Sequence, residues 1–165
     1  MLQLRLAEPA DWPAIWSVLE PTFRRGDTYT FATDIPEDEA RSLWLNPRLA
    51  TYVACDAQGA VLGTYVLKAN QPGQGAHVAN CGYVVSDAAR GLGVASAMCE
   101  HSQREAVARG FLAMQFNFVV SANAPAVHLW QKLGFAIVGT LPGAFRHPRQ
   151  GFVDAFVMYK QLQPA

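Results

Sequence analysis

The sequence has little of what most readily reveals a role. Its 165 residues include three cysteines, Cys55, Cys81 and Cys99, with no CxxC spacing among them. Neither a disulfide framework nor a zinc site is expected, and a reducing cytoplasm is the expected setting. Neither sign of charge is in excess: 13 Lys and Arg stand against 13 Asp and Glu. Binding to nucleic acid or to an anionic membrane by bulk charge is therefore not expected. No run of about 18 apolar residues occurs. The opening "MLQLRLAEPADW" lacks a basic stretch followed by an apolar one, so the expectation is a soluble chain without a secretion signal. Repeats, low-complexity tracts and linkers are also missing.

What is present suits one domain over residues 1–165. Apolar residues make up 51% and charged residues 16%, enough for a proper core. "LQLRLA" alternates as a strand does. Asp11 can cap a helix opening at Trp12-Pro13, with Ile15, Trp16 and Leu19 on one face. Asp34 and Glu37 form a D-x-x-E start signal for a second helix reaching about Leu45, with Pro36 in its first turn. "TYVACD" and "AVLGTYVLKA" read as a hairpin joined at "AQG". "HVANCGYVV" is a further strand, where Gly82 marks a bulge or a close backbone approach. A helix from about Leu92 to Arg109 stops at Gly110. Then come the strand "AMQFNFVV", a helix capped by Asn123, the strand "AIVGTL", a loop "PGAFRHPRQG" and the strand "FVDAFVMYK". The alternation predicts a mixed α/β fold.

Two stretches carry chemistry. In "SDAARGLGVASAM", Gly91 and Gly93 precede a helix. Without Cβ atoms the backbone can approach a ligand, and the free N–H groups of the first turn favour an anion such as a pyrophosphate. Arg90 adds charge beside them. A tight strand-to-helix turn explains the glycines equally well. A Walker A loop is excluded because Val94-Ala95 stands where Lys-Ser/Thr is needed. The dinucleotide fingerprint fails at Ser96 and lacks its acidic partner downstream. In "NAPAVHLWQKLGF", Ala126, Leu129, Trp130 and Leu133 form one apolar stripe, and Gly134 ends the helix.

Together the two stretches resemble the GCN5-related N-acetyltransferase (GNAT) superfamily. Its R/Q-x-x-G-x-G/A motif is matched by Arg90-Gly91-Leu92-Gly93-Val94-Ala95. Asn123, Ala126, Leu129, Lys132, Gly134 and Phe135 match N-x-x-A-x-x-L-Y-x-K-x-G-F. The element order agrees from Leu2 to Leu162. "FNFVVSANAPAVHLW" and "LPGAFRHPRQGFVDA" further resemble a subgroup that includes the yeast acetyltransferase of proline analogues such as azetidine-2-carboxylate. The resemblance implies a mostly antiparallel sheet of six to seven strands, flanked by about four helices, with two central parallel strands splayed apart.

It also implies a site. Acetyl-CoA would rest its pyrophosphate on the amides of Gly91, Leu92, Gly93, Val94, Ala95 and Ser96, beside Arg90. Its pantetheine would pair with the backbone of Tyr83, Val84 and Val85 and bond to Asn123. The Val85 N–H would polarise the thioester carbonyl for direct attack by a neutral amine. Many relatives protonate the thiolate with a Tyr where this chain has Trp130, which here walls the thioester end. Indole N–H is a donor but no acid at neutral pH. "HVANCGYVV" holds no Asp or Glu to act as base. Asn117 and Asn123 would flank the thioester and orient substrate or water. Tyr29, Phe31, Asn80 and Arg146 would shape the acceptor site, with Arg146 or Arg149 clamping a substrate carboxylate. Cys81 as nucleophile and His77 as proton relay are weaker candidates. His101 and His128 have no metal-ligand partners at i+4, so no metal is expected.

The expected function is acetyl transfer from acetyl-CoA to a small-molecule amine, such as an amino acid or proline-like analogue. Protein N-termini or lysines are the alternative acceptors, and a non-catalytic CoA-binding sensor is the alternative class. A homodimer is a family-level expectation.

Overall fold

The computed structural model describes residues 1–164. β1 (Gln3–Leu6) leads into α1 (Trp12–Arg25) and α2 (Glu37–Trp44), then the hairpin β2 (Ala50–Cys55) and β3 (Val61–Ala69). β4 (Val78–Val85) feeds α3 (Val94–Ala108), which crosses to β5 (Ala113–Val120). α4 (Ala124–Lys132) precedes the closing hairpin of β6 (Ala136–His147) and β7 (Gly151–Gln161).

The seven strands form one sheet in the order β1-β2-β3-β4-β5-β7-β6. Among the described strands only β4 and β5 are parallel neighbours, joined by the helical crossover α3. Each face buries its own core. On one, Ile15, Leu19 and Phe23 of α1 pack with Trp44 and with Val66 and Val84 of the sheet. On the other, Met98 and Cys99 of α3 and Trp130 of α4 pack on Tyr65, Cys81 and Phe116. This is the mixed, mostly antiparallel architecture with four α-helices that the motifs imply.

Four local expectations need correction. The segment "PGAFRHPRQG" is not a loop; β6 runs through it to His147, paired Phe145↔Val153 and His147↔Gly151. The ladder shifts between Leu141 and Phe145, which absorbs Pro142. As β6 is an edge strand, the missing Pro142 N–H costs little. Gly143 takes φ 58 there, and its N–H donates to Asp154 Oδ1 at 2.9 Å. Second, α2 starts at Glu37 with Pro36 as N-cap, and no capping box forms. The Glu37 carboxylate instead accepts the Trp12 indole N–H at 2.9 Å. Third, Asp11 occupies the N-cap position of α1 without capping it. Its carboxylate takes both Arg5 guanidinium nitrogens, at 2.7 and 2.8 Å, and the Glu8 N–H at 2.7 Å. Fourth, α3 begins at Val94 rather than Leu92, because Gly93 adopts the left-handed conformation as its N-cap.

Candidate active site at the fork between two strands

β4 and β5 pair only at Val78↔Ala113 and Ala79↔Met114, then separate. Beyond that point the Asn80 Nδ2 reaches the Gln115 carbonyl at 3.0 Å and ties the narrow end. β5 is drawn away by its own pairing with β7, which shifts register between Phe116 and Val119. The result is a cleft of about 890 Å³.

Hydrogen-bond phase decides which backbone groups face this gap. Asn70 N–H donates to Val78 C=O, and Ser86 N–H donates to Leu62 C=O. With the register Lys68↔Asn80 and Thr64↔Val84, the even-numbered residues of β4 spend both groups on β3. Cys81, Tyr83 and Val85 therefore turn their N–H and C=O toward the gap. Val84 is excluded from that set, contrary to expectation; its side chain packs into the core under α1.

The wide end opens onto the glycine turn. Gly91 and Gly93 have φ 77 and 78, and a Cβ at either would meet nothing within 4 Å. The first bond of α3 runs from Ala97 N–H to Gly93 C=O, so the N–H groups of Val94, Ala95 and Ser96 lie ahead of the helical ladder. These residues line the cleft. Leu92 does not: its N–H turns back to Ala89 C=O at 3.3 Å and its side chain is 70% exposed. Arg90 lines the cleft and pairs with Asp87 at 2.9 Å. Arg25, from the end of α1, reaches the other oxygen of Asp87, also at 2.9 Å. One carboxylate thus holds two guanidinium groups at the mouth of an anion cradle. Sequence reading missed this arrangement, although the i, i+3 spacing of Asp87 and Arg90 was a usable signal.

Farther in, Trp130 lies buried against Tyr83 and Phe116, with ring centroids 5.1 and 5.2 Å away. Asn123 caps α4, accepting the Ala126 N–H at 3.4 Å. Asn117 lines the cleft but both ends of its amide are engaged. It accepts from Gln115 Nε2 at 2.9 Å and donates to Asn70 Oδ1 at 2.7 Å. Cys81 is buried, and burial pushes its thiol pKa up to about 12, which leaves a poor nucleophile. His77 is exposed and outside the cleft lining.

On the far side, Tyr29 and Phe31 stack with centroids 5.6 Å apart and line the cleft with Lys68, Asn80, His147 and Arg149. The Tyr29 hydroxyl donates to the Tyr83 carbonyl at 3.1 Å. It explains Gly82, where a Cβ would stand 2.9 Å from Tyr29 Oη; the close approach, rather than a bulge, is what that glycine serves. Arg146 does not line the cleft. Strand alternation buries Phe145 and His147 and turns Arg146 outward, while Arg149 in the following turn takes its place. Among the described residues no group of three His, Cys, Asp or Glu side chains is arranged to hold a metal, and no helix is long and apolar enough to cross a membrane.

The model of the acetyltransferase (GNAT) family matches residues 12–135, well over half of the chain. The chain belongs to the acetyltransferase (GNAT) family. It is 32% identical over 112 residues to the N-acetyltransferase aca1 of Schizosaccharomyces pombe, a match covering 67% of this chain and 53% of that protein. The chain thus spans about half the length of this curated relative. A solved GCN5-related N-acetyltransferase from Kribbella flavida is 46% identical, with 97% of each chain covered and a TM-score of 0.93. A GNAT superfamily phosphinothricin acetyltransferase from Sinorhizobium meliloti, solved with AcCoA, has a TM-score of 0.85 at 23% identity, covering 98% of this chain and 89% of that one. At that identity the likeness speaks for the GNAT fold alone.

Proposed function

We propose that this protein is an N-acetyltransferase that moves the acetyl group of acetyl-CoA to the amine of a small molecule carrying a carboxylate, such as an amino acid or a proline-like analogue. The observation that carries the reading is the continuity of the anion cradle with a strand edge whose Tyr83 and Val85 backbone groups face an open gap.

In this reading the pyrophosphate rests on Gly91 and on the N–H groups of Gly93 to Ser96, with Arg90 and Arg25 alongside. The pantetheine arm pairs as a short extra strand with Val85 and then Tyr83, and Asn123 offers its amide to the arm. Val85 lies nearest the cradle, so it meets the start of the arm. The Tyr83 N–H lies farther in and takes over the role of polarising the thioester carbonyl. Trp130 closes the thioester end. Asn80 and Asn117 form a polar floor at the acceptor side, and Tyr29 and Phe31 form an aromatic wall.

The amine attacks the carbonyl directly. A buried Cys81 with a raised pKa argues against an acetylated-cysteine intermediate. The carboxylate is argued from charge. Lys68 and Arg149 line the acceptor end and form no ion pair among the described residues. An acceptor that brings its own anion complements them, whereas a protein lysine would add a third cation. The S. pombe relative, an N-acetyltransferase, supports the reaction class.

Thiol release from acetyl-CoA, measured across amino acids, proline analogues, their amides and lysine peptides, tests the proposal. Saturable turnover confined to the carboxylate-bearing amines is expected. Coenzyme A binding with no turnover on any acceptor would replace the enzyme by a sensor, and preference for peptides would move the acceptor class to proteins.

A further inference from the structure

The fork lacks both of the groups that usually manage protons in such a reaction. Trp130 stands where an acid would serve, and β4 carries no carboxylate. The Tyr83 hydroxyl is not available either, since it bonds to Ser102 Oγ at 2.7 Å on the α3 side of the sheet. Tyr29 reaches the fork from the opposite, acceptor side. Its hydroxyl sits on the Tyr83 carbonyl at 3.1 Å, over the bare Cα of Gly82. The ring is fixed by edge contacts to Phe23 at 5.5 Å and Trp44 at 5.9 Å and by stacking on Phe31. A hydroxyl held this way is positioned before substrate arrives.

The geometry points to Tyr29 as the proton shuttle of acetyl transfer, an assignment that rests on the acetyltransferase reading above. When the amine nitrogen bonds to the thioester carbon, that nitrogen carries one proton too many. When the C–S bond breaks, its electron pair stays on sulfur. Tyr29 Oη turns its hydrogen from the Tyr83 carbonyl to sulfur while taking the proton from nitrogen on a lone pair. One proton moves from nitrogen to sulfur, the amide and the free thiol form, and tyrosine is regenerated. Burial raises the Tyr29 pKa above its ordinary value. This favours the neutral hydroxyl, the form that can donate and accept at once. Asp27 also lines the cleft but lies beside Arg25 at 3.9 Å, so the Tyr29 hydroxyl explains how a fork with no carboxylate on β4 and no tyrosine at the Trp130 position turns over.

The test uses the full chain with Tyr29→Phe, which keeps the ring and removes the hydroxyl. Thiol-release kinetics with an accepted amine, calorimetric titration of coenzyme A and thermal unfolding are read together. The expected result is a kcat lower by about 100-fold, with coenzyme A affinity and unfolding temperature little changed. A second variant carries 3,5-difluorotyrosine at position 29, whose more acidic phenol should move the alkaline limb of the kcat profile to lower pH. Unchanged kcat in Tyr29→Phe, an unmoved alkaline limb, or joint loss of binding and stability would each overturn the shuttle. Absence of turnover in the wild type would overturn the enzymatic reading and the shuttle with it, whereas wild-type turnover retained by Tyr29→Phe overturns the shuttle alone.

Discussion

Trp130 and Tyr83 meet ring to ring on the α3 face of the fork, 5.1 Å apart and tilted by 35°. The indole sits at the position of the expected tyrosine acid, yet its contacts are those of core packing. Trp130→Phe should therefore keep most of its kcat while the loss of buried ring lowers stability by about 1–2 kcal/mol. Thiol-release kinetics beside thermal denaturation checks this. A large drop in kcat at unchanged stability would assign the indole a part in the chemistry.

Asp87 holds Arg25 and Arg90 together at the cradle mouth. All three side chains are at least partly exposed, so each pair is worth little in stability. The local charge matters more. Asp87→Asn should tighten coenzyme A binding by about threefold at low salt, and the gain should fade as ionic strength rises. Titrations at two salt concentrations decide it. Weaker binding would mean that Asp87 positions the guanidinium groups rather than competing for them.

Arg149 lines the cleft and Arg146 does not. For a carboxylate-bearing acceptor, Arg149→Ala should raise KM by about tenfold, whereas Arg146→Ala should leave it unchanged. The reverse pattern would place the acceptor on the other side of β6.

How much of this was legible in the sequence differs between motifs. The glycine cradle, the Asn123 cap and the order of elements follow from local rules, in which residue type and spacing decide the backbone. The length of β6 does not. Pro142 and Gly143 look like loop residues, and only the edge position of the strand and the Asp154 contact make them tolerable there. The turning of the Val84 backbone away from the gap and of Leu92 away from the cleft depends on hydrogen-bond phase and on a turn closing to Ala89. Neither leaves a trace in composition. Gly82 could be flagged from sequence, but its partner, Tyr29, lies 53 residues away. Arg146 and Arg149 were equivalent until strand alternation separated them.

Stability has its own pH signature. Arg5 donates two hydrogen bonds to Asp11, and these hold the Asp11 pKa below the ordinary carboxylate value. A depressed folded-state pKa stabilises the fold above the unfolded value of about 3.9, and that stabilisation is lost as pH falls through the folded value. Asp11→Asn should therefore be less stable than the wild type by about 1 kcal/mol near neutrality. The gap should close in strong acid. Denaturant unfolding at several pH values reads it directly; a gap independent of pH would show that the charge on the Asp11 carboxylate is not its source.

The glycine cradle is the proposed seat of coenzyme A. A Cβ at Gly93 would meet no neighbour within 4 Å, so a side chain there enters open cleft. The left-handed φ of 78 makes any L residue cost about 1–2 kcal/mol, and the unfolding temperature should fall by about 5 °C with the fold intact. Calorimetric titration of coenzyme A into the wild type and Gly93→Glu in parallel is the deciding measurement. The wild type should bind at one saturable site, and the folded variant should lose that binding through bulk and charge repulsion. Equal affinity in the two proteins, or no binding to the wild type, would contradict the account.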